Sequence, residues 1–164
     1  MLFRSTDPKA LQLDTVIRRT CPFSVIAINP PKYNELYAKI GNLNKLLEWG
    51  HARAIENVLE IQACDLVISD QFANPAGLRR ALMEKGRAVQ LESRVRAEAD
   101  LAVAAASVLA RSEFLRRLRG LGHDIGMNLP KGAGPVVDDT ARALVRRSGS
   151  GILSTVAKMH FKTT

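Results

Sequence analysis

The segment Arg96–Arg111, reading RAEADLAVAAASVLAR, constrains the fold more than any other part of the chain. A short charged opening leads into ten residues, Leu101–Ala110, that carry no charge. The apolar residues run all round a helix rather than along one stripe, which predicts a helix covered on most sides. The alanines are small enough to pack closely on a sheet. Glu98 and Asp100 stand at its start and Arg111 at its far end, the order that the helix dipole favours. The segment therefore reads as a buried helix with acid fixed at the edge of a core.

The rest of the chain supplies partners for that helix. Apolar spacing predicts helices over 9–20, 31–40, 43–62 and 75–85, the last ended by Gly86. Asn42 is placed as a cap for the third. Short apolar runs at Phe23–Ile28, Asp65–Asp70 and Ala88–Leu91 read as strands, with Leu66, Val67 and Ile68 buried. A helix over 99–119, a glycine-rich loop and a helix over 139–148 follow. The tail from Ile152 is ambiguous between helix and strand. Alternation of helices with short strands gives an α/β class with a largely parallel sheet. Three strands are few for a sheet covered on both faces. One domain is the natural division of 164 residues.

Charge is unevenly placed. Up to Leu78 the chain holds 8 Lys/Arg and 8 Asp/Glu; from Arg79 onward it holds 16 and 8, so the whole net charge of +8 lies in the second half. Clusters such as Arg116-Arg117 and Arg146-Arg147 fit a polyanionic partner, or a well-solvated surface. Cys21 and Cys64 form no CxxC pair, and the N-terminus lacks an apolar signal core, so a reduced, cytoplasmic protein is expected. No apolar run approaches a membrane span. His51, His123 and His160 lack helical pairing for a metal site, and Ser107 has no partner for nucleophilic work. Trp49 and Tyr37 are expected in the core rather than stacked on bases.

Two carboxylates carry the chemical argument. Asp70 falls at the carboxyl end of its strand, the edge where open parallel sheets bind ligands. It could hold a hard cation such as Mg²⁺ or serve as a turn aspartate. Glu98 follows the next strand and opens the apolar helix. Two acids from neighbouring strand ends point to a cation more strongly than either one. Lys131, in the turn Leu129-Pro130-Lys131-Gly132-Ala133-Gly134, suits a phosphate contact, although the turn lacks the Walker spacing. Arg111 is a second phosphate candidate, with pairing to a buried carboxylate as its alternative. Lys158 and Lys162 are weaker ones.

Taken together, several motifs in one order resemble ribonuclease HIII, a branch of the type 2 ribonucleases H. They are Pro31-Lys32-Tyr33-Asn34-Glu35-Leu36-Tyr37, the run Asn42–Glu56, Asp70-Gln71-Phe72, the Arg96–Arg111 segment, Leu129–Ala133, and Ala157-Lys158-Met159-His160-Phe161-Lys162. The resemblance covers nearly the whole chain. It implies a ribonuclease-H-like mixed sheet flanked by helices, and hydrolysis of the RNA strand of RNA–DNA hybrids by a protein that is monomeric when complete. It implies four carboxylates holding two Mg²⁺ or Mn²⁺ ions, with Asp70 as the third carboxylate and Glu98 as the fourth. One ion readies a water and the other stabilises the departing oxygen, roughly 3.5–4 Å apart.

The chain departs from that family at its start. The family's Asp-Glu pair lies in an Asp-Glu-x-Gly-Lys-Gly-Asp segment, and no Asp-Glu dipeptide occurs here. The expectation is a chain that begins after that segment, without the leading strands, the glycine-rich substrate-gripping turn or the branch's amino-terminal domain. Thr6-Asp7-Pro8-Lys9 reads as a remnant of the Asp-Ser-Lys motif that follows, and Gly134 stands where the family has Ser. Little or no hydrolysis is expected of the chain alone. A non-catalytic nucleic-acid-binding module is the alternative. A third reading is a non-functional remnant with an exposed sheet edge.

Overall fold

A computed structural model describes residues 6–161. The helices are α1 (Asp7–Thr20), α2 (Pro30–Ile40), α3 (Leu43–Ile61), α4 (Pro75–Ala81), α5 (Glu84–Arg87), α6 (Leu101–Asp124), α7 (Pro135–Ser148) and α8 (Leu153–Val156). Strands β1 (Leu66–Asp70) and β2 (Gln90–Arg94) pair in parallel, with 3₁₀ turns at Ala97–Ala99 and Ser150–Ile152. Lys162 lies outside the described residues. The chain divides into two compact units. One takes in the described residues up to Ala27 with Asn42–Phe114; the other takes in Ile28–Gly41 and the residues from Leu115 onward.

The first unit is built on α3. Its buried Ala52 meets Leu78 of α4, Leu82 just after that helix, and Leu91 of β2, with Ile55, Val67 and Ala81 packed against them. Asn42 caps α3 by accepting the Lys45 N–H, as its sequence position predicts. The helix predicted over 75–85 is broken in two. Glu56, 6 % exposed, accepts the N–H groups of Lys85 and Gly86, each at 2.9 Å, and so starts a new turn at Glu84. The Lys85 N–H is the main cause holding the Glu56 carboxyl below its ordinary pKa. Gly86 lies inside α5 rather than ending the helix, and the strand expected from Ala88 starts at Gln90. Helix α1 reaches the middle of α6 through two ion pairs, Asp7–Arg111 and Arg18–Glu113.

Three further expectations are corrected. Phe23–Ile28 is half-buried but forms no strand, because among the described residues no backbone edge pairs with it and a strand needs a ladder. The Arg96–Arg111 segment is not one helix covered on most sides. A 3₁₀ turn and a break at Asp100 precede α6, Leu101 is 85 % exposed, and burial between Leu101 and Phe114 is confined to Leu109 and Ser112. Burial all round requires neighbours on every side, and the described residues supply them along one line only. Trp49 and Leu66, both placed in the core by their apolarity, are 41 % and 42 % exposed.

The second unit packs α2 against α8 and α7 against the 3₁₀ turn before α8. Asn34 ties the tail to α2. Its Nδ2 donates to the Ser154 and Ala157 carbonyls, and its Oδ1 accepts the Met159 N–H. Tyr37 stacks on His160 at 3.9 Å, and Lys158 lies 4.6 Å over the Tyr33 ring. The tail that periodicity left ambiguous is thus helical to Val156 and then held by side chains. Helix α7 begins at Pro135, four residues before the predicted start, because proline suits the first helical position after Gly134.

Candidate metal and substrate site

The parallel register sets the site. Asp70 ends β1 opposite Arg94, and the Gln71 N–H donates to the Arg94 carbonyl at 3.0 Å, so both strands stop at one edge. Beyond β2 the backbone turns at Arg96, whose φ of 56° and ψ of 44° are left-handed. That turn aims the next N–H, of Ala97, at Asp70 Oδ1, 3.0 Å away. Glu98 therefore stands one residue from the atom that Asp70 holds. The end of β1 and the turn after β2 are thus joined at the residues that carry the two predicted acids.

Arg94, the cation opposite Asp70 in the ladder, is already engaged. Arg94 pairs with Glu92, its Nη2 at 2.5 Å and its Nε at 2.9 Å from Oε2, and approaches Asp100 at 4.0 Å. Asp100 caps α6 by accepting the Ala102 N–H at 2.9 Å. Glu98 is half-buried, and its carboxylate has no hydrogen-bond or ion-pair partner among the described residues. A carboxylate in that state is poorly compensated until a cation or donor reaches it.

The loop after Asp70 is held from two sides. Phe72 stacks on His51 of α3, centroids 4.6 Å apart, and Asn74 caps α4 through the Ala76 N–H. Desolvation lowers the His51 pKa below its ordinary 6.5. A small recess opens between Asp70, Phe72, Asn74, Ser69 and Ser93.

Asp70 and Glu98 offer hard oxygen donors, which fit Mg²⁺ or Mn²⁺. Among the described residues no group of three or more His, Cys, Asp or Glu side chains is placed to hold a metal ion. Lys131 is exposed in the turn between α6 and α7, where Gly132 and Gly134 take φ of 86° and 130°. It belongs to the second unit, and Asp70 and Glu98 belong to the first. Arg111 is engaged by Asp7, at 2.6 Å from Nη2 and 3.1 Å from Nε, so the carboxylate alternative describes its present contact. Lys158 sits over an aromatic ring. Sequence reasoning missed the role of Arg96 in shaping the corner, because nothing in an arginine signals a left-handed turn.

The family model for ribonuclease HII matches residues 5–164. The chain belongs to the ribonuclease HII family. Within that family it is similar to proteins named ribonuclease HIII. It is 42 % identical over 158 residues to that of Protochlamydia amoebophila, covering 96 % of this chain and 52 % of the relative. It is 43 % identical over 159 residues to that of Chlamydia pneumoniae, covering 96 % and 53 %. The chain thus spans about half the length of these curated relatives. Among solved structures, Bst-RNase HIII in complex with Mn²⁺ superposes with a TM-score of 0.89 at 29 % identity, over 98 % of this chain and 54 % of that one. Aquifex aeolicus RNase H3 superposes with a TM-score of 0.70 at 27 % identity, over 96 % and 56 %. The α/β architecture and the resemblance to ribonuclease HIII are both borne out. Among the described residues, no helix is long and apolar enough to cross a membrane.

Proposed function

We propose that this member of the ribonuclease HII family serves hydrolysis of the RNA strand of RNA–DNA hybrids, with Asp70 and Glu98 as ligands for divalent metal. The observation that carries the reading is the Ala97 N–H to Asp70 Oδ1 bond, which joins the end of β1 to the turn bearing Glu98. The structural relative bound to Mn²⁺ supports a divalent ion here; the reading takes it as Mg²⁺ or Mn²⁺, with two ions in a complete site. When bound, such ions supply an activated water and neutralise charge on the departing oxygen. The chain's own contribution is placement. The Ala97 N–H fixes Oδ1 of Asp70, the left-handed turn presents Glu98, and Phe72 against His51 holds the intervening loop. Lys131 is assigned to a phosphate of the substrate, and Arg111 to a second one in exchange for Asp7.

Two carboxylates hold two ions poorly, so the 164-residue chain by itself is expected to cleave little. Incubation of purified chain with labelled hybrid and Mn²⁺, read on a denaturing gel, tests this; efficient cleavage would refute it. Fused to an upstream Asp-Glu-bearing segment the protein should cleave hybrid, and Asp70→Asn should abolish that activity. An unaffected variant would clear Asp70 of a metal role.

Binding without catalysis is the second reading, and charge placement favours it. The second unit holds eleven Lys/Arg against four Asp/Glu, while the first holds thirteen against twelve. A pure binder associates with hybrid in chelator, responds steeply to salt and releases no product.

A further inference from the structure

Arg96 stands out beside the carboxylate corner on two independent counts. It is the one non-glycine residue with positive φ among the described residues, a conformation that a glycine would adopt without strain. It is also exposed, and its guanidinium has no hydrogen-bond or ion-pair partner among the described residues. Two other arginines of this unit differ. Arg94 is occupied by Glu92 and Asp100, and Arg111 by Asp7. Backbone strain kept at a long cationic residue, where glycine would be easier, points to a use for the side chain. A corner made of two carboxylates repels a phosphate backbone, and a polyanion reaches it only with a cation alongside. A guanidinium suits that task, since its planar fork matches two phosphate oxygens.

We infer that Arg96 is a substrate-contact residue, its guanidinium gripping a backbone phosphate next to the Asp70–Glu98 corner. This rests on the reading that the chain takes RNA–DNA hybrid. The left-handed turn then has a double purpose: it directs the Ala97 N–H to Asp70, and it holds the side chain of Arg96 at the rim.

The test is binding of a fluorescently labelled RNA–DNA hybrid by the chain in chelator, followed by anisotropy across a salt series. Arg96→Gln should weaken binding at low salt and make the slope of log K against log salt shallower by about one. Arg96→Lys, which keeps the charge, should hold the slope. Arg96→Gly should lose it as Arg96→Gln does, although the backbone is relieved, which separates charge from folding. A wild-type slope in Arg96→Gln, or a loss in Arg96→Lys equal to that in Arg96→Gln, overturns the contact. Failure of the wild type to bind hybrid would sink the functional reading and the contact together, whereas wild-type binding with an unchanged Arg96→Gln slope sinks the contact alone.

Discussion

Replacing Arg96 by glycine should make the protein more stable. A left-handed conformation costs an L-residue about 1–2 kcal/mol through the clash of Cβ with the following carbonyl. Glycine escapes that clash but gives up about 0.5–1 kcal/mol more chain entropy on folding. Arg96 is exposed and its side chain has no polar contact to lose, so the two effects leave a net gain of roughly 0–1.5 kcal/mol, centred near 0.8 kcal/mol. With a urea dependence of about 2 kcal/mol per molar, the midpoint should rise by roughly 0.4 M. Arg96→Val should move the other way by about 1 kcal/mol or more, since β-branching is least tolerated at positive φ. Circular dichroism gives the midpoints, and hydrogen exchange at the Gln71 and Ala97 amides reports on this corner specifically, because both are bonded there. A glycine variant less stable than wild type, or a valine variant equal to it, would refute the claim that the turn is strained.

Three other outcomes follow from the geometry. Leu78→Ala, at a side chain 3 % exposed within the Ala52–Leu82–Leu91 cluster, should lose about 2–4 kcal/mol in urea unfolding; a loss under 1 kcal/mol would mean that this cluster is not the core. Asp70→Asn should leave stability nearly unchanged, because an amide oxygen can still accept the Ala97 N–H, whereas Asp70→Ala should lose about 1 kcal/mol; equal losses would deny that bond a role. Glu35 accepts from Lys32 and Lys39, each at 2.8 Å, and those bonds lower its pKa from 4.5 to about 2. Its contribution is complete above pH 4.5 and is lost as pH falls towards 2, so a carboxyl carbon titration by NMR should show a midpoint near 2 rather than 4.5.

Local signals reported themselves well in this sequence. Asn42 is a cap and Leu66–Asp70 is a strand ending in its acid, both from residue types whose preferences are backbone preferences. That Asp70 stands at a strand end and Glu98 after the next strand was legible, because parallel strands end on the same edge. What stayed hidden depends on distant partners. Glu56 breaks a helix almost thirty residues away, and no periodicity in 75–85 could announce that. The Phe23–Ile28 run has strand composition but no paired edge, and composition cannot supply a ladder. Arg96 adopts a conformation that its type disfavours, so only coordinates reveal it. The all-apolar face of α6 promised burial, but burial belongs to the neighbours as much as to the helix.

Whether Asp70 and Glu98 share a cation is decided by titrating the isotopically labelled chain with Mn²⁺ and following paramagnetic broadening by NMR. Broadening should begin at Asp70, Gln71, Ala97 and Glu98, and either Asp70→Asn or Glu98→Gln should greatly reduce it at all four together. Broadening that begins elsewhere, or that survives both substitutions, would contradict a shared site.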